Sequence, residues 1–209
     1  MSKSRLESFS DGVFAVAITL LALDLAVKGH DSPHSLARQL SDLWPAYVAY
    51  LISFFTIGII WVNHHRALND VLVVRRSLLF INLILLAVTV AIPFATSTLA
   101  DYLTDTGPDG HVAAALYAAV FELMSLSFVP LYEWVLRHDD CVRDPLPAAV
   151  KNPARLRFYA GQLPYLIAVG VAFISAPASV VITALVAVYY VFVRDSPRPS
   201  PAATAPQES

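Results

Sequence analysis

Long runs of apolar residues alternate with short polar segments along the 209-residue chain. A helix needs about 20 mostly apolar residues to cross the roughly 30 Å hydrocarbon core of a bilayer. Four runs meet or approach that length, at residues 9–27, 43–62, 78–99 and 112–136, and two more fit between residues 158 and 193. The pattern therefore predicts an all-α polytopic membrane protein with six transmembrane helices.

The last apolar region contains a break at Ser175-Ala176-Pro177-Ala178-Ser179. Proline among small residues is typical of a tight turn, which would leave a short sixth span at residues 180–193. A single long helix over 158–193 is the alternative, but its length and its interior proline both argue against it. Pro93, Pro130 and Pro164 also fall within predicted spans, where we expect them to mark kinks.

Polar segments separate the spans, with an acidic turn at 101–111 and a charged loop at 137–157, after a polar connection at 28–42. The end of the chain, 195–209, is rich in proline and small residues, which is typical of disorder. We therefore divide the chain into a six-helix transmembrane domain at 1–194 and a disordered cytoplasmic tail at 195–209.

Composition and charge placement agree with this division. The chain is 57% hydrophobic and 14% charged, whereas soluble domains are about 25% charged. If the N-terminus is cytoplasmic and six spans follow, only Lys28 and Arg38 of the 14 Lys and Arg residues fall outside. The positive-inside rule therefore predicts that both termini lie in the cytoplasm. The first apolar segment lacks a convincing cleavage site, so we expect a membrane helix and not a signal peptide.

Several classes of function are disfavoured. No basic run interleaved with aromatic residues suggests nucleic acid as a partner. Cys141 is the single cysteine, which excludes an intrachain disulfide. No nucleotide, flavin or haem motif is present, and His64 and His65 point about 100° apart on a helix, so no metal site is expected. We therefore expect neither an enzyme nor a bound cofactor.

Charged residues inside predicted spans need an explanation, because placing them in lipid costs roughly 2.5–3.5 kcal/mol each. Ser4 and Glu7 have capping-box spacing, which predicts that the first helix begins there and puts Asp11 near the inner membrane boundary. Asp11 could interact with the N-terminal end of its own helix. We favour polar partners at the end of the second span, in Trp61-Val62-Asn63-His64-His65.

Glu122 is the carboxylate deepest in a predicted span. A proton relay is conceivable, and a structural hydrogen bond or a neutral buried acid is at least as compatible with the sequence. On the first helix, steps of four and three residues place Gly12, Val16, Thr19 and Leu23 on one face. Periodicity alone favours a helix-packing stripe there, with Gly12 allowing close approach.

A family resemblance adds to this interpretation. Arg5-x-x-x-Phe9-Ser10-Asp11-Gly12, followed by Val-Phe-Ala-Val-Ala-Ile-Thr-Leu-Leu, resembles the first-helix signature of the prokaryotic transmembrane protein 175 family, relatives of the lysosomal potassium channel. The ending Trp61-Val62-Asn63-His64-His65 resembles that family's second span. The resemblance implies a homotetrameric potassium-permeable channel in the inner (plasma) membrane, with no pore loop and a pore lined by the first helix.

The resemblance also implies roles for individual residues. The hydrophobic gate falls on Val16, the hydroxyl layer linked to potassium preference on Thr19, and Gly12 and Leu23 are further pore-lining positions. Relatives commonly carry Leu or Ile at the gate, so valine here is smaller. Arg5, Ser10 and Asp11 resemble a network that braces the first helix against the following residues of the second span: Trp61, Asn63 and His64.

Two functions remain in competition at this point. The first is a passive cation channel with potassium as the permeant ion, membrane lipid as its surroundings and no nucleic-acid partner. The second is a proton-coupled secondary transporter working through Glu122, which would predict inverted repeats. The chain shows no such repeat. Asp24, at the outer end of the first span, could enrich cations there or could be a boundary charge.

Overall fold

The computed structural model describes residues 2–27 and 33–193, with side chains up to Tyr190. The proposed tail at 195–209, together with Lys28, Arg194 and Arg198, lies outside these residues. The described part of the chain is all-α. The helices are α1 Lys3–Leu20, α2 Leu36–Asp42, α3 Trp44–Asn69, α4 Arg76–Thr89, α5 Ile92–Tyr102, α6 Pro108–Arg137, α7 Ala148–Ala160, α8 Leu163–Ala172 and α9 Ala176–Val193.

Four helical segments of the described chain are long and apolar enough to cross a membrane: Lys3–Asp24, Trp44–Asn69, Arg76–Tyr102 and Pro108–Arg137. They coincide with the first four predicted spans and extend beyond most of their ends. A shorter apolar helix covers Ala176–Tyr190. The chain is therefore a multi-pass membrane protein by the length and composition of its helices.

The start of α1 differs from the prediction. The helix begins at Lys3 with Ser2 as its N-cap, and no side chain caps it. The expected capping box of Ser4 and Glu7 is therefore wrong. Glu7 instead lies 3.7 Å from the Lys3 ammonium, one turn earlier on the same helix face. At its other end α1 tightens into a 3₁₀ turn at Leu21–Asp24.

Two of the three prolines expected to kink a span lie instead at the start of a new helix. The third predicted span is two helices, α4 and α5, with Pro93 in the first turn of α5. Pro164 likewise lies in the first turn of α8, where its missing N–H has no helical partner to lose. Pro130 is inside α6, whose helix continues to Arg137.

The described residues of the last third of the chain, up to 193, form three α-helices. The single helix considered over 158–193 is excluded, because α8 ends at Ala172 and α9 begins at Ala176. The turn between them is closed by the Ser175 N–H donating to the Val171 carbonyl at 2.8 Å. Pro177 belongs to the first turn of α9 and not to the turn itself, so α9 begins four residues before the predicted sixth span.

Two segments predicted as loops are helical. The charged loop at 137–157 contains most of α7, and the polar connection at 28–42 contains α2. Helix α7 carries Lys151 and Arg155 one turn apart, which pair with Asp139 and Glu133. These ion pairs join residues on either side of a loop, so they depend on tertiary structure. The local polarity of 137–157 led to the prediction of a loop where this helix lies.

Helix α6 is the centre of the fold, since it packs against α4, α5, α8 and α9. Helix α3 packs against α1 and α5, so α1 reaches the core chiefly through α3 and α4. Tyr117, Phe121 and Met124 of α6 are fully buried where these helices meet. Helix α1 thus lies at the margin of the bundle, with one face inward and one face outward.

Candidate functional site

The inward face of α1 is continuous from end to end. Its buried residues recur at the helical period and are Leu6, Ser10, Phe14, Ala17 and Leu21. Since successive residues of a helix are about 100° apart, these five define a single packing face. Polar Ser10 belongs to this face because its hydroxyl donates to the Leu6 carbonyl at 2.9 Å.

The stripe of Gly12, Val16, Thr19 and Leu23 lies about 150° around the helix from that packing face. All four residues are exposed, with Val16 at 55% and Leu23 at 70%. No atom outside the helix lies within 4 Å of a β-carbon built on Gly12, so packing within this subunit does not require glycine there. The subunit's own core therefore does not use this stripe.

Thr19 is the polar member of the stripe. Its hydroxyl donates to the Val16 carbonyl at 2.9 Å, which occupies its one proton. The lone pairs of the hydroxyl oxygen remain available as acceptors. This residue can therefore offer partial negative charge to a cation without carrying a formal charge.

The N-terminal half of α1 is tied to α3 by a hydrogen bond at the surface. The Trp61 indole N–H donates to Asp11 Oδ1 at 2.8 Å. The Trp61 ring also stacks on His65, with ring centroids 6.0 Å apart. Asp11 thus has a partner on a neighbouring helix, and its carboxylate accepts a hydrogen bond from outside its own helix terminus.

A second, buried connection joins α1, α3 and α4. The Asn82 side chain donates to Ser10 Oγ at 3.1 Å, and its oxygen lies 2.6 Å from His64 Nε2. His64 also packs against the Phe14 ring, with centroids 5.3 Å apart. Ser10, His64 and Asn82 are all buried, so this chain of hydrogen bonds fixes the register of the three helices.

Asn82 did not figure among the predicted site residues. The signal was present in the sequence, since asparagine is uncommon in an apolar span and usually faces another helix when it occurs there. Without the structure its partners were open, because Ser10 is 72 positions away along the chain.

The remaining predicted residues have other surroundings. Arg5 is exposed and its side chain makes no hydrogen bond or ion pair within the described residues. Asn63 faces away from α1, into a crevice shared by α3, α6, α8 and α9. The single subunit thus places Ser10, Asp11, Trp61 and His64 in contacts between helices and leaves Arg5 and Asn63 outside them.

The carboxylates of Glu122 and Asp24 lie on different helical elements. Glu122 is 6% exposed, and neither of its side-chain oxygens has a hydrogen-bond partner among the described residues. Asp24 ends the 3₁₀ turn after α1 and is partly exposed. No group of three or more metal-ligating side chains occurs in the described part of the chain.

Comparison with known proteins relates the whole chain to one family. Residues 5–93 match the family model described as endosomal/lysosomal potassium channel TMEM175. A potassium channel of Streptomyces collinus is 45% identical over 203 residues, covering 97% of each chain. A potassium channel of Chamaesiphon minutus is 35% identical over 188 residues, covering 89% of this chain and 92% of the other.

A solved structure shares the fold as well. The crystal structure of a lysosomal potassium-selective channel TMEM175 homologue from Chamaesiphon minutus superimposes with a TM-score of 0.81 at 34% identity. The match covers 93% of this chain and 98% of that chain. The similarity therefore extends past the first two spans, which carried the motifs, to the helices that follow them.

Proposed function

Because this chain belongs to the TMEM175 family of ion channels, we propose that it forms a potassium-permeable channel whose pore is lined by α1. The observation that carries the proposal is the stripe of Gly12, Val16, Thr19 and Leu23. It is uncharged, it contains one outward hydroxyl, and the subunit's own core leaves it exposed.

The channel is a homotetramer in this proposal. Four copies arranged about an axis would bring four stripes face to face, and heterologous contacts around a closed ring satisfy each subunit equally. The inward face of α1, held by α3 and α4, keeps the stripe aimed at the axis. The named potassium channels that the chain resembles support this arrangement over a lipid-facing α1.

The number of membrane crossings decides on which side of the membrane the two termini lie. The four long spans are followed by α8 and α9, which are antiparallel neighbours joined by a short turn. With α8 and α9 as the last two crossings, both ends of the chain lie in the cytoplasm and the protein resides in the inner (plasma) membrane. The excess of Lys and Arg in the inside segments supports this orientation.

Val16 forms the narrow hydrophobic constriction in this proposal. A ring of apolar side chains blocks ions when the gap is too narrow to stay wet. Valine is one methylene smaller than leucine or isoleucine, so a ring of valines has a wider gap and wets more readily. Leu23 lines the pore further outward, and Gly12 lines it on the cytoplasmic side.

Thr19 forms the hydroxyl ring that gives preference for potassium. Its oxygen replaces part of the ion's hydration shell, and the hydrogen bond to the Val16 carbonyl turns its lone pairs away from the helix. A single hydroxyl per subunit replaces fewer water ligands than stacked carbonyl rings do, so the preference over sodium is modest. Potassium is the permeant ion, and no cofactor takes part.

The hydrogen bonds of Asp11 and Ser10 have a mechanical role in this proposal. They hold the cytoplasmic half of α1 to α3 and α4, so that the position of Val16 follows that of α3. Arg5 lies on the same side of α1 as the stripe, at the cytoplasmic end, where it would meet a neighbouring subunit. Asp24 raises the cation concentration at the outer mouth.

The proposal is tested by ion flux from liposomes containing the purified protein. Wild type should release potassium down its gradient, and Val16→Asn should release it several-fold faster, because a polar ring keeps the constriction wet. Leu123→Asn is the matched control, since Leu123 is 52% exposed on α6, away from the stripe. It should conduct like wild type.

Two results would contradict the proposal. Wild-type protein that moves neither potassium nor sodium would rule out a passive channel. Equal acceleration by Val16→Asn and Leu123→Asn would show that α1 does not carry the constriction.

A further inference from the structure

A crevice of about 520 Å³, including the space at its mouth, lies between α3, α6, α8 and α9. Aromatic rings form much of its wall, from Phe121 and Phe128 of α6, Phe158 near the end of α7, and Tyr190 of α9. Ligand sites in proteins commonly have walls of this apolar, aromatic kind.

Three polar side chains that line the crevice have no partner. The Asn63 amide, the Ser125 hydroxyl and the Tyr165 hydroxyl make no side-chain hydrogen bond within the described residues, although Tyr165 is only 6% exposed. A fourth lining residue, Gln162, is 7% exposed and has an unpartnered side-chain oxygen. Buried polar groups are nearly always hydrogen-bonded, so the unpartnered Gln162 oxygen indicates that an occupant of this space donates a hydrogen bond to it.

Electrostatics restrict what that occupant is. None of the described residues that line the crevice is charged. A phosphate or carboxylate head group would find no cation there and would be desolvated without compensation. The lining therefore suits a neutral molecule with an apolar body and a hydroxyl group.

We propose that the crevice is a binding site for a small neutral aromatic alcohol. Its ring packs among the aromatic side chains in offset or edge-to-face contacts. Its hydroxyl donates a hydrogen bond to the Gln162 side-chain oxygen and accepts one from the Tyr165 hydroxyl. Water alone would satisfy the polar groups but would leave the aromatic wall wet, which is why an amphiphile fits better than solvent.

The site is coupled to the stripe on α1 through one helix. Asn63 lines the crevice, while the adjacent His64 packs on Phe14 of α1 and Trp61 donates to Asp11. An occupant that shifts α3 would shift α1 as well. This regulatory consequence rests on the proposed channel function, whereas the binding site itself does not.

Photolabelling of the full-length protein tests the site. A benzyl alcohol carrying a trifluoromethyl diazirine is the probe, and labelled peptides are identified by mass spectrometry. Labels should appear on α6, α8 and α9. 4-Butylphenol should compete about tenfold better than butylbenzene, since only the phenol can pair with the free polar groups.

Variants locate the label. Ser125→Phe places a ring in the crevice and should reduce labelling at least tenfold, while Leu123→Phe, on the exposed face of the same helix, should leave it unchanged. Tyr165→Phe keeps the volume and should weaken competition by 4-butylphenol, with no effect on butylbenzene. This second variant decides the matter if Ser125→Phe fails to fold.

Equal competition by butylbenzene and 4-butylphenol would overturn the proposal and indicate a lipid-chain groove. Unchanged labelling of Ser125→Phe would also overturn it. Labelling is measured without ion flux, so its failure is separate from any failure of the channel proposal. If labelling succeeds and the channel conducts, 4-butylphenol should change potassium flux in wild type but not in Ser125→Phe.

Discussion

Asn82 shows how much a single polar residue can carry in an apolar helix. It has no exposed surface and contacts Ser10 on α1 and His64 on α3 at once. Each partner is itself buried, so neither has water to turn to if the amide is removed. In a bilayer each such hydrogen bond contributes a modest free energy. Removing one partner nevertheless leaves a buried polar group unpaired.

Asn82→Leu should therefore destabilise the protein by about 1–3 kcal/mol, the usual range for leaving buried partners unpaired. The measurement is the thermal unfolding midpoint of the detergent-purified protein. Asn69→Ala, at the exposed end of α3, is the control and should leave the midpoint unchanged. An Asn82→Leu midpoint equal to that of wild type would show that Ser10 and His64 find other partners.

Thr19 is the residue whose substitution tests selectivity. Thr19→Ala removes the hydroxyl and should lower the potassium-to-sodium permeability ratio severalfold while conduction persists, because the proposed constriction at Val16 is untouched. The ratio is read from reversal potentials with the two ions on opposite sides of the membrane. Thr19→Ser keeps the hydroxyl and should retain the preference; an unchanged ratio in Thr19→Ala would remove Thr19 from the selectivity step.

At the level of elements, α7 is held to the bundle by ion pairs, a tyrosine hydrogen bond and the stacked rings of Phe158 and Tyr132. None of its residues is buried. Glu133 of α6 accepts hydrogen bonds from Arg155 at 2.7 Å and from the Tyr159 hydroxyl at 3.0 Å, and Lys151 pairs with Asp139 at 2.6 Å. Glu133 is thus the main point where α7 is anchored to the longest helix.

Glu133→Ala should free α7 and make trypsin cleave after Lys151, Arg155 and Arg157 several-fold faster, since proteolysis follows local opening. Cleavage is followed by mass spectrometry of the protein in detergent. The control is Asp144→Ala, which removes an exposed carboxylate of the same loop that makes no hydrogen bond or ion pair within the described residues. If both variants are cut at the wild-type rate, the ion pairs contribute little, as exposed pairs often do.

For the whole molecule, the question is how copies of the chain meet. The stripe of Gly12, Val16, Thr19 and Leu23 faces outward from the bundle, and the proposed tetramer places it at the central axis.

The native thiol does not interfere with a test by cysteine crosslinking. Cys141 is buried and its burial raises the pKa of the thiol, which keeps it protonated and unreactive.

Leu23→Cys should therefore form crosslinked dimers with a short bis-maleimide in native membranes, because adjacent subunits bring position 23 together. Ile174→Cys is the control, since Ile174 is 82% exposed after α8 and would face lipid in the proposed tetramer. Dimers are counted on denaturing gels. Crosslinking of Ile174→Cys with none of Leu23→Cys would place α1 at the periphery of the assembly.

The sequence by itself determined the class of protein and the four long spans. Crossing a bilayer requires a run of about 20 apolar residues, and that requirement is local, so it can be read without knowing any long-range contact. The stripe on α1 was also predictable, since helical periodicity alone puts its residues on one face. The first-helix motif then related the chain to its family.

Only the tertiary structure decided which polar residues meet. The partner of Ser10, Asn82, lies 72 positions away, and no local pattern carries such a distance. The helix α7 was hidden for the same reason, because its charges are paired across a loop. The unpartnered Gln162 oxygen of the crevice emerged only from the packing of several helices, since hydrogen-bond satisfaction is a property of the assembled fold.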